Sequence, residues 1–253
     1  MFKLFNLAVC AVVGGLVAGT AHAAEVFKDD FDGDALGAHW DVINSDPESF
    51  LVEDGGLLVL YAQESSIESD HLSNLFRLSA LLPKGDWQAT IRLRPEFQTM
   101  REVIYFGLFQ DKANYLMSAT FVSSWCCYAR NLSITATKNA KGKKAQFAKS
   151  LSPSFNHGEG AFDPYRQSLQ QLGSGILLRL VKSGHQYVFS GRIEGIDEDD
   201  EPYPWVLLSK LTLLRQKGDL VFGFTQSRGG TRHQGNGGES IVNVDWVRIE
   251  TAD

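Results

Sequence analysis

From Val103 to Phe121 the chain reads VIYFGLFQDKANYLMSATF, two apolar runs around the polar tetrapeptide Asp111-Lys112-Ala113-Asn114. Ile104, Phe106 and Leu108 alternate with Tyr105, Gly107 and Phe109, a period of two that puts one row of side chains on each face of a sheet. The pattern predicts two strands folded back on each other. Both rows are largely apolar, which places the hairpin in the interior of a sheet. A second sheet covers one of its faces, and loops, another layer or a ligand cover the other. Function is expected on that second face.

The same alternation recurs along the chain. Phe50 to Glu53 and Leu57 to Ala62 flank Asp54-Gly55-Gly56, an Asp-Gly turn that signals a hairpin. Asn74 to Leu82 and Asp86 to Pro95 lie on either side of Pro83-Lys84-Gly85. In the latter strand Trp87, Ala89, Ile91 and Leu93 face one way, while Gln88, Thr90, Arg92 and Arg94 face the other. Further strands are predicted over Asn131 to Lys138, Gly175 to Lys182, Tyr187 to Ile193, Val206 to Leu214, Asp219 to Thr225 and Ser240 to Glu250. Only Pro164 to Leu172 has the pattern of a short helix. Between Ala140 and Ser174 the alternation gives way to a long polar and aromatic insertion, and Gly195 to Tyr203 reads as an acidic, solvated loop. Roughly a dozen short antiparallel strands with turn signals between them call for a sandwich or a barrel.

Composition narrows the function classes. With 253 residues, 43% of them hydrophobic, the chain has material for one substantial core. A net charge of −6 argues against a nucleic-acid partner, and the basic run Lys138 to Lys144 reads as a solvated loop. Lys3, the apolar stretch Leu4 to Val17 and Ala21-His22-Ala23 have the layout of a signal peptide cleaved after Ala23. That division gives a leader over 1–23 and a single domain over 24–253, exported to the periplasm or beyond it. Val at position 9 argues against lipid attachment at Cys10, and no other segment approaches the roughly 18 apolar residues of a membrane span. The adjacent Cys126 and Cys127 leave two readings open, a pair of free thiols or a strained vicinal disulfide.

Two stretches carry a family resemblance. Phe27-Lys28-Asp29-Asp30-Phe31-Asp32-Gly33, with Leu36, Trp40 and Val52-Glu53-Asp54-Gly55-Gly56-Leu57, resembles the start of the concanavalin A-like lectin/glucanase jelly rolls. Leu220 to Phe224 and Val244-Asp245-Trp246-Val247-Arg248-Ile249 resemble their end. The likeness is greatest to the β-sandwich modules attached to family 43 glycosidases and to laminin G-like domains. It implies an all-β, antiparallel jelly-roll sandwich. It also implies a structural calcium held by the Asp245 carboxylate, the Asp30 carbonyl and a carbonyl of Gly55 or Gly56, oxygen donors of the kind calcium prefers. These motifs describe how the sandwich closes, and they do not assign a reaction.

The catalytic patterns of that superfamily are absent. Glu194 does not begin a Glu-x-Asp-x-(x)-Glu strand, and the Gln-x-His strand of the lyase branch is missing. Glu96, Glu102 and Asp111 read as rim charges. The histidines have no metal-ligand spacing, and there is no nucleophile elbow or Walker loop. The chain does carry rings and hydrogen-bonding side chains suited to sugars. Tyr105 and Phe109 lie on the second face of the hairpin, Gln88 and Arg92 on the polar face of its neighbour, and Trp125, Tyr128 and Arg130 just beyond. The glycine-rich stretch Ser227 to Gly238 is either a cover for a ligand or a simple connection. The sequence is therefore read as an exported carbohydrate-binding sandwich. Two other classes stay open, a glycoside hydrolase or polysaccharide lyase with a rearranged site beside Arg92, and a laminin G-like interaction module.

Overall fold

Strict alternation of apolar and polar residues lets a strand bury one face against a second sheet, and this chain repeats that solution throughout. A computed structural model describes residues 24–61, 65–69, 72–95, 97, 102–125, 128–151, 175–194, 201–215, 218–226 and 240–251, with backbone alone at 124–125 and 128–130. Its strands are β1 (Ala24–Asp29), β2 (Trp40–Ile43), β3 (Phe50–Glu53), β4 (Gly56–Leu60), β5 (Leu75–Leu78), β6 (Trp87–Pro95), β7 (Glu102–Asp111) and β8 (Asn114–Trp125). They continue with β9 (Tyr128–Ala140), β10 (Lys143–Ser150), β11 (Ile176–Ser183), β12 (Gln186–Ile193), β13 (Val206–Leu207), β14 (Leu211–Thr212), β15 (Asp219–Gln226) and β16 (Ile241–Thr251).

They form two antiparallel sheets. The first runs β13-β12-β11-β6-β16-β4-β3, with β1 beside β16 and β14 beside β12, and the second runs β10-β9-β8-β7-β15-β5-β2. This is an all-β, jelly-roll-like sandwich. The predicted alternation on β6 holds, since Trp87, Ala89, Ile91 and Leu93 are buried between the sheets. From the other side Ile104, Phe106 and Leu108 of β7, Leu116 of β8 and Phe222 and Phe224 of β15 complete the core. Phe76 stacks on Phe222 with centroids 4.9 Å apart, and the Trp40 ring meets Phe222 edge-on at 5.1 Å.

Turn chemistry sets the registers. Asp54 and Gly55 both have positive φ, 52° and 71°, which closes the β3–β4 hairpin as the Asp-Gly pair predicts. At the N-terminus Asp29 accepts hydrogen bonds from the Phe31 amide (2.8 Å), the Trp40 indole (2.7 Å) and the His39 ring (2.6 Å). That carboxylate holds Phe31 at φ 54° and fixes the loop between β1 and β2 to the core.

Three expectations need correction. The region after Ala140 is not wholly irregular: β10 pairs with β9 from Lys143↔Ala140 to Ser150↔Ser133. Its lysines obscure the alternation because, as an edge strand exposed at every residue, it buries no apolar row. Val206 to Leu214 divides into β13 and β14, which pair with different parts of β12. Most consequentially, β6 and β7 belong to opposite sheets, so the strand bearing Gln88 and Arg92 is not a neighbour of the Tyr105 hairpin. The possible helix at Pro164 to Leu172, the Cys126-Cys127 pair and the stretch Ser227 to Gly238 lie outside the described residues.

Gly107 marks a tight approach of β7 to β8. A Cβ there would stand 2.2 Å from the Leu116 carbonyl oxygen and 2.9 Å from the Met117 Cα, both backbone atoms. Gly107→Ala is expected to destabilise the domain by about 1–3 kcal/mol, the usual cost of overpacking, seen as a lower urea midpoint with an unchanged slope.

Candidate functional site

The outward row of the β7–β8 hairpin is too apolar to face water, and the chain covers it. Ile67 and Leu72, from the segment between β4 and β5, pack with Leu75, Tyr105, Tyr115, Met117 and Val221 into a second apolar cluster separate from the main core. The cover does not reach across the whole sheet. Beyond Met117 and Ala119 the outward rows turn polar, with Thr135 and Thr137 on β9 and Lys144 and Gln146 on β10, brought level by the Thr137↔Met117 and Gln146↔Thr137 pairs. Where the cover ends and the polar rows begin lies an open cavity of about 230 Å³, floored by Tyr105, Tyr115 and Met117 and walled by Ser66, Ile67 and Glu68.

One ionic contact crosses its mouth. Glu68 accepts hydrogen bonds from Lys144 Nζ (2.5 Å) and from the Tyr115 hydroxyl (2.6 Å). Lys144, and then Tyr115, hold the Glu68 carboxyl below its ordinary range. Burial, reinforced by Glu68, pushes the Tyr115 phenol well above its usual value. Burial raises Tyr105 too, against the opposing influence of the Ile67 backbone and Thr225. Both phenols are therefore protonated at neutral pH and act as hydrogen-bonding groups rather than bases.

The cavity lining contains one carboxylate, Glu68, and it is already paired. Glycoside hydrolysis in its usual form needs two carboxyl groups on either side of the scissile bond. Outward on β7 stand Val103, Tyr105, Gly107 and Phe109, with no acid among them. The arrangement suits recognition. Aromatic walls lie beside threonine and serine hydroxyls, a glutamine amide and a lysine, a mixture that can hydrogen-bond a polyhydroxylated ligand from several sides.

The structure brings one predicted site residue, Tyr105, into this cavity. Gln88 and Arg92 stand on the outer face of the opposite sheet, where Gln88 donates to Glu250 (2.6 Å) and Arg92 to Glu194 (2.5 Å) and Asp245. Trp125 and Tyr128 are the last backbone pair of the β8–β9 hairpin, about 20 Å along the strand from the Tyr105 level, with Arg130 just after them. Phe109 stacks on Tyr115 at 6.5 Å and belongs to the apolar cover rather than the cavity wall. Sequence reasoning missed Tyr115, Glu68, Lys144 and Gln146. Tyr115 had a legible signal, since it shares the outward row of β8 with Met117 and pairs with Phe109.

One charge assignment also changes. Glu102 is no rim charge: it is fully buried on the inward row of β7 and accepts a hydrogen bond from the Ser240 hydroxyl at 2.5 Å. Asp111 is at the rim as expected and caps the hairpin turn through the Ala113 amide (2.8 Å). Glu96 lies outside the described residues. The carboxylate implied for calcium has partners of its own. Both Asp245 oxygens are engaged, Oδ2 by Arg92 and Oδ1 by Arg94 at 2.7 Å and 2.9 Å, so a dication there would face two guanidinium groups. No cluster of three metal-ligating side chains occurs among the described residues.

No family model matches the chain, and no curated protein does. Solved structures do match. The GH43 protein BlXynB from Bacillus licheniformis superposes with a TM-score of 0.61 at 16% identity, covering 88% of this chain and 39% of its own. The chain thus spans well under half of that protein's length. A β-glucanase, also from Bacillus licheniformis, gives 0.53 at 11% identity over 91% of this chain and 99% of its own. The CBM2 module of the evolved Dit of Lactobacillus casei BL23 phage J-1 gives 0.54 at 12% identity, over 91% and 96%. At these identities the likeness establishes the fold alone, a β-sandwich of two antiparallel sheets.

The Glu68 contact has a defined pH signature. A carboxyl with a lowered native pKa contributes stability above its unfolded value of about 4.5, and that contribution is lost as pH falls through the lowered native value. Glu68 and Lys144 are both more than a third exposed, so the effect stays below about 1 kcal/mol. Wild type is expected to melt slightly above Glu68→Gln at pH 7, with the gap closing below pH 4.5 in a series of thermal melts.

Proposed function

We propose that this chain is an exported carbohydrate-binding protein whose cavity on the outer face of the second sheet receives a neutral sugar unit of a longer glycan. The observation that carries the proposal is the lining itself: the protonated Tyr105 and Tyr115 beside Thr135, Thr137 and Gln146, with a single, paired carboxylate. Tyrosine walls exclude water from the apolar face of a pyranose, and hydroxyls and amides replace water at its rim. The neighbours in fold, a GH43 protein, a β-glucanase and a CBM2 module, are consistent with a saccharide ligand. Export rests on the leader-like first 23 residues, with cleavage after Ala23.

The test is a polysaccharide array with the purified mature protein, scored in parallel for released reducing or unsaturated ends. Binding without product is expected. Thr137→Val and Gln146→Ala, which alter the rim but not the core, should each weaken that binding about tenfold, equivalent to about 1.4 kcal/mol, without lowering the melting temperature. Unchanged affinity in both variants would remove the cavity from the reading, and product release would replace binding with catalysis.

A further inference from the structure

The outer face of the first sheet carries arginines in unequal company. Arg92 and Arg94 share Asp245, and Arg92 also takes the nearer oxygen of Glu194 at 2.5 Å. On β16, Arg248 has Glu25 at 3.2 Å. Arg179, in the middle of β11, has no carboxylate partner among the described residues. Its Nε reaches only the Ser190 hydroxyl at 3.4 Å, and its guanidinium lies 3.8 Å from the centre of the Trp205 ring. Arg192, on the adjacent β12, brings a second guanidinium to within 5.1 Å of that same ring. Its nearest acid is the far oxygen of Glu194 at 4.0 Å, and its Nε is buried without a hydrogen-bond partner.

Two cations are thus gathered at one indole, and among the described residues the acids that act on them are Glu194, 4.0 Å from Arg192 and already paired with Arg92, and Glu250, which acts on Arg179 without forming an ion pair. Burial, and then the charge of Arg192, lower the Arg179 pKa, with Glu250 opposing them. An oxyanion bridging the outer nitrogens of the two guanidiniums would offset their repulsion. The planar forks of arginine match a carboxylate in two-point contact. Trp205 is partly exposed, and so is Trp246 on β16 of the same sheet, where Arg248 lies 5.1 Å from the centre of its ring; the exposed parts of both rings offer apolar surface to a sugar.

We propose that Arg179 and Arg192, with Trp205, form an anion subsite for the carboxylate of a uronic-acid-containing polysaccharide. This site goes beyond the cavity reading: it lies on the opposite sheet and takes a charged rather than a neutral unit. The overall charge of −6 makes non-specific attraction of a polyanion unfavourable, so binding depends on this local geometry.

Affinity of the full mature chain for polygalacturonate, its fully methyl-esterified form and dextran sulfate tests the proposal. Polygalacturonate is expected to bind best, with affinity falling as salt rises. Arg192→Gln and Arg179→Gln should each cost about tenfold, and the Thr137→Val/Gln146→Ala pair should leave this binding unchanged, which separates it from the cavity. Should Arg179→Gln lower the melting temperature by loosening Trp205, the half-exposed Arg192→Gln decides alone. No binding of polygalacturonate, equal binding of the methyl ester or of dextran sulfate, or indifference to Arg192→Gln would overturn the assignment.

Discussion

The hairpin of β7 and β8 is apolar on both faces, and most of the architecture answers that constraint. Its inward row is buried by the first sheet, as in any sandwich. Its outward row, with Tyr105, Tyr115 and Met117, needs a second cover, and the chain supplies one from the segment that carries Ile67 and Leu72. At roughly 25 cal/mol for each Å² of apolar surface removed from water, those side chains make the cover favourable without further bonds. The cover stops where its apolar reason stops. On β9 the outward residues are threonines that tolerate water, and the cavity opens along that boundary between apolar and polar rows. The candidate site is therefore a consequence of how far hydrophobicity extends across one sheet.

The first sheet manages its outer face with charge. Asp245 occupies a bulge of β16 between Val244 and Trp246, and this extra residue turns its carboxylate toward Arg92 and Arg94 of β6. Nearly buried and hydrogen-bonded on both oxygens, it ties the last strand to the centre of the sheet by a link in which guanidinium groups fill the role of a cation. At the N-terminus the corresponding tie is Asp29, which fastens the first loop through His39, Trp40 and the Phe31 amide. Asp29 and Asp245 thus tie strands near both chain ends to the sandwich through hydrogen bonds to other residues of this chain.

Much of this fold was legible in the sequence because period-two alternation, Asp-Gly and the hairpin tetrapeptide are local signals. The faces of β6 and β7 came out as the residues predict. Which sheet each strand joins is a long-range property, and alternation reads the same in either, so Gln88 and Arg92 were grouped with Tyr105 although the sandwich core separates them. Glu102 was misjudged because a buried carboxylate depends on Ser240, a partner far away in sequence. The cavity draws on the cover segment and on β7, β8, β9 and β10, and no window of sequence contains that combination. Lys144 and Gln146 were hidden for a simpler reason: a strand exposed on both faces leaves no hydrophobic period to detect.

That exposed strand also limits how copies of this protein meet. Among the described residues β10 ends the second sheet with one row of backbone amides and carbonyls unpaired, and such an edge invites another strand to extend the sheet. Lys143, Lys144 and Lys149 lie along it, and every residue of the strand faces solvent. A second copy approaching edge to edge would have to bring like charges together and strip water from them. The lysines that disguise β10 in the sequence thereby make edge-to-edge pairing of two such strands unfavourable.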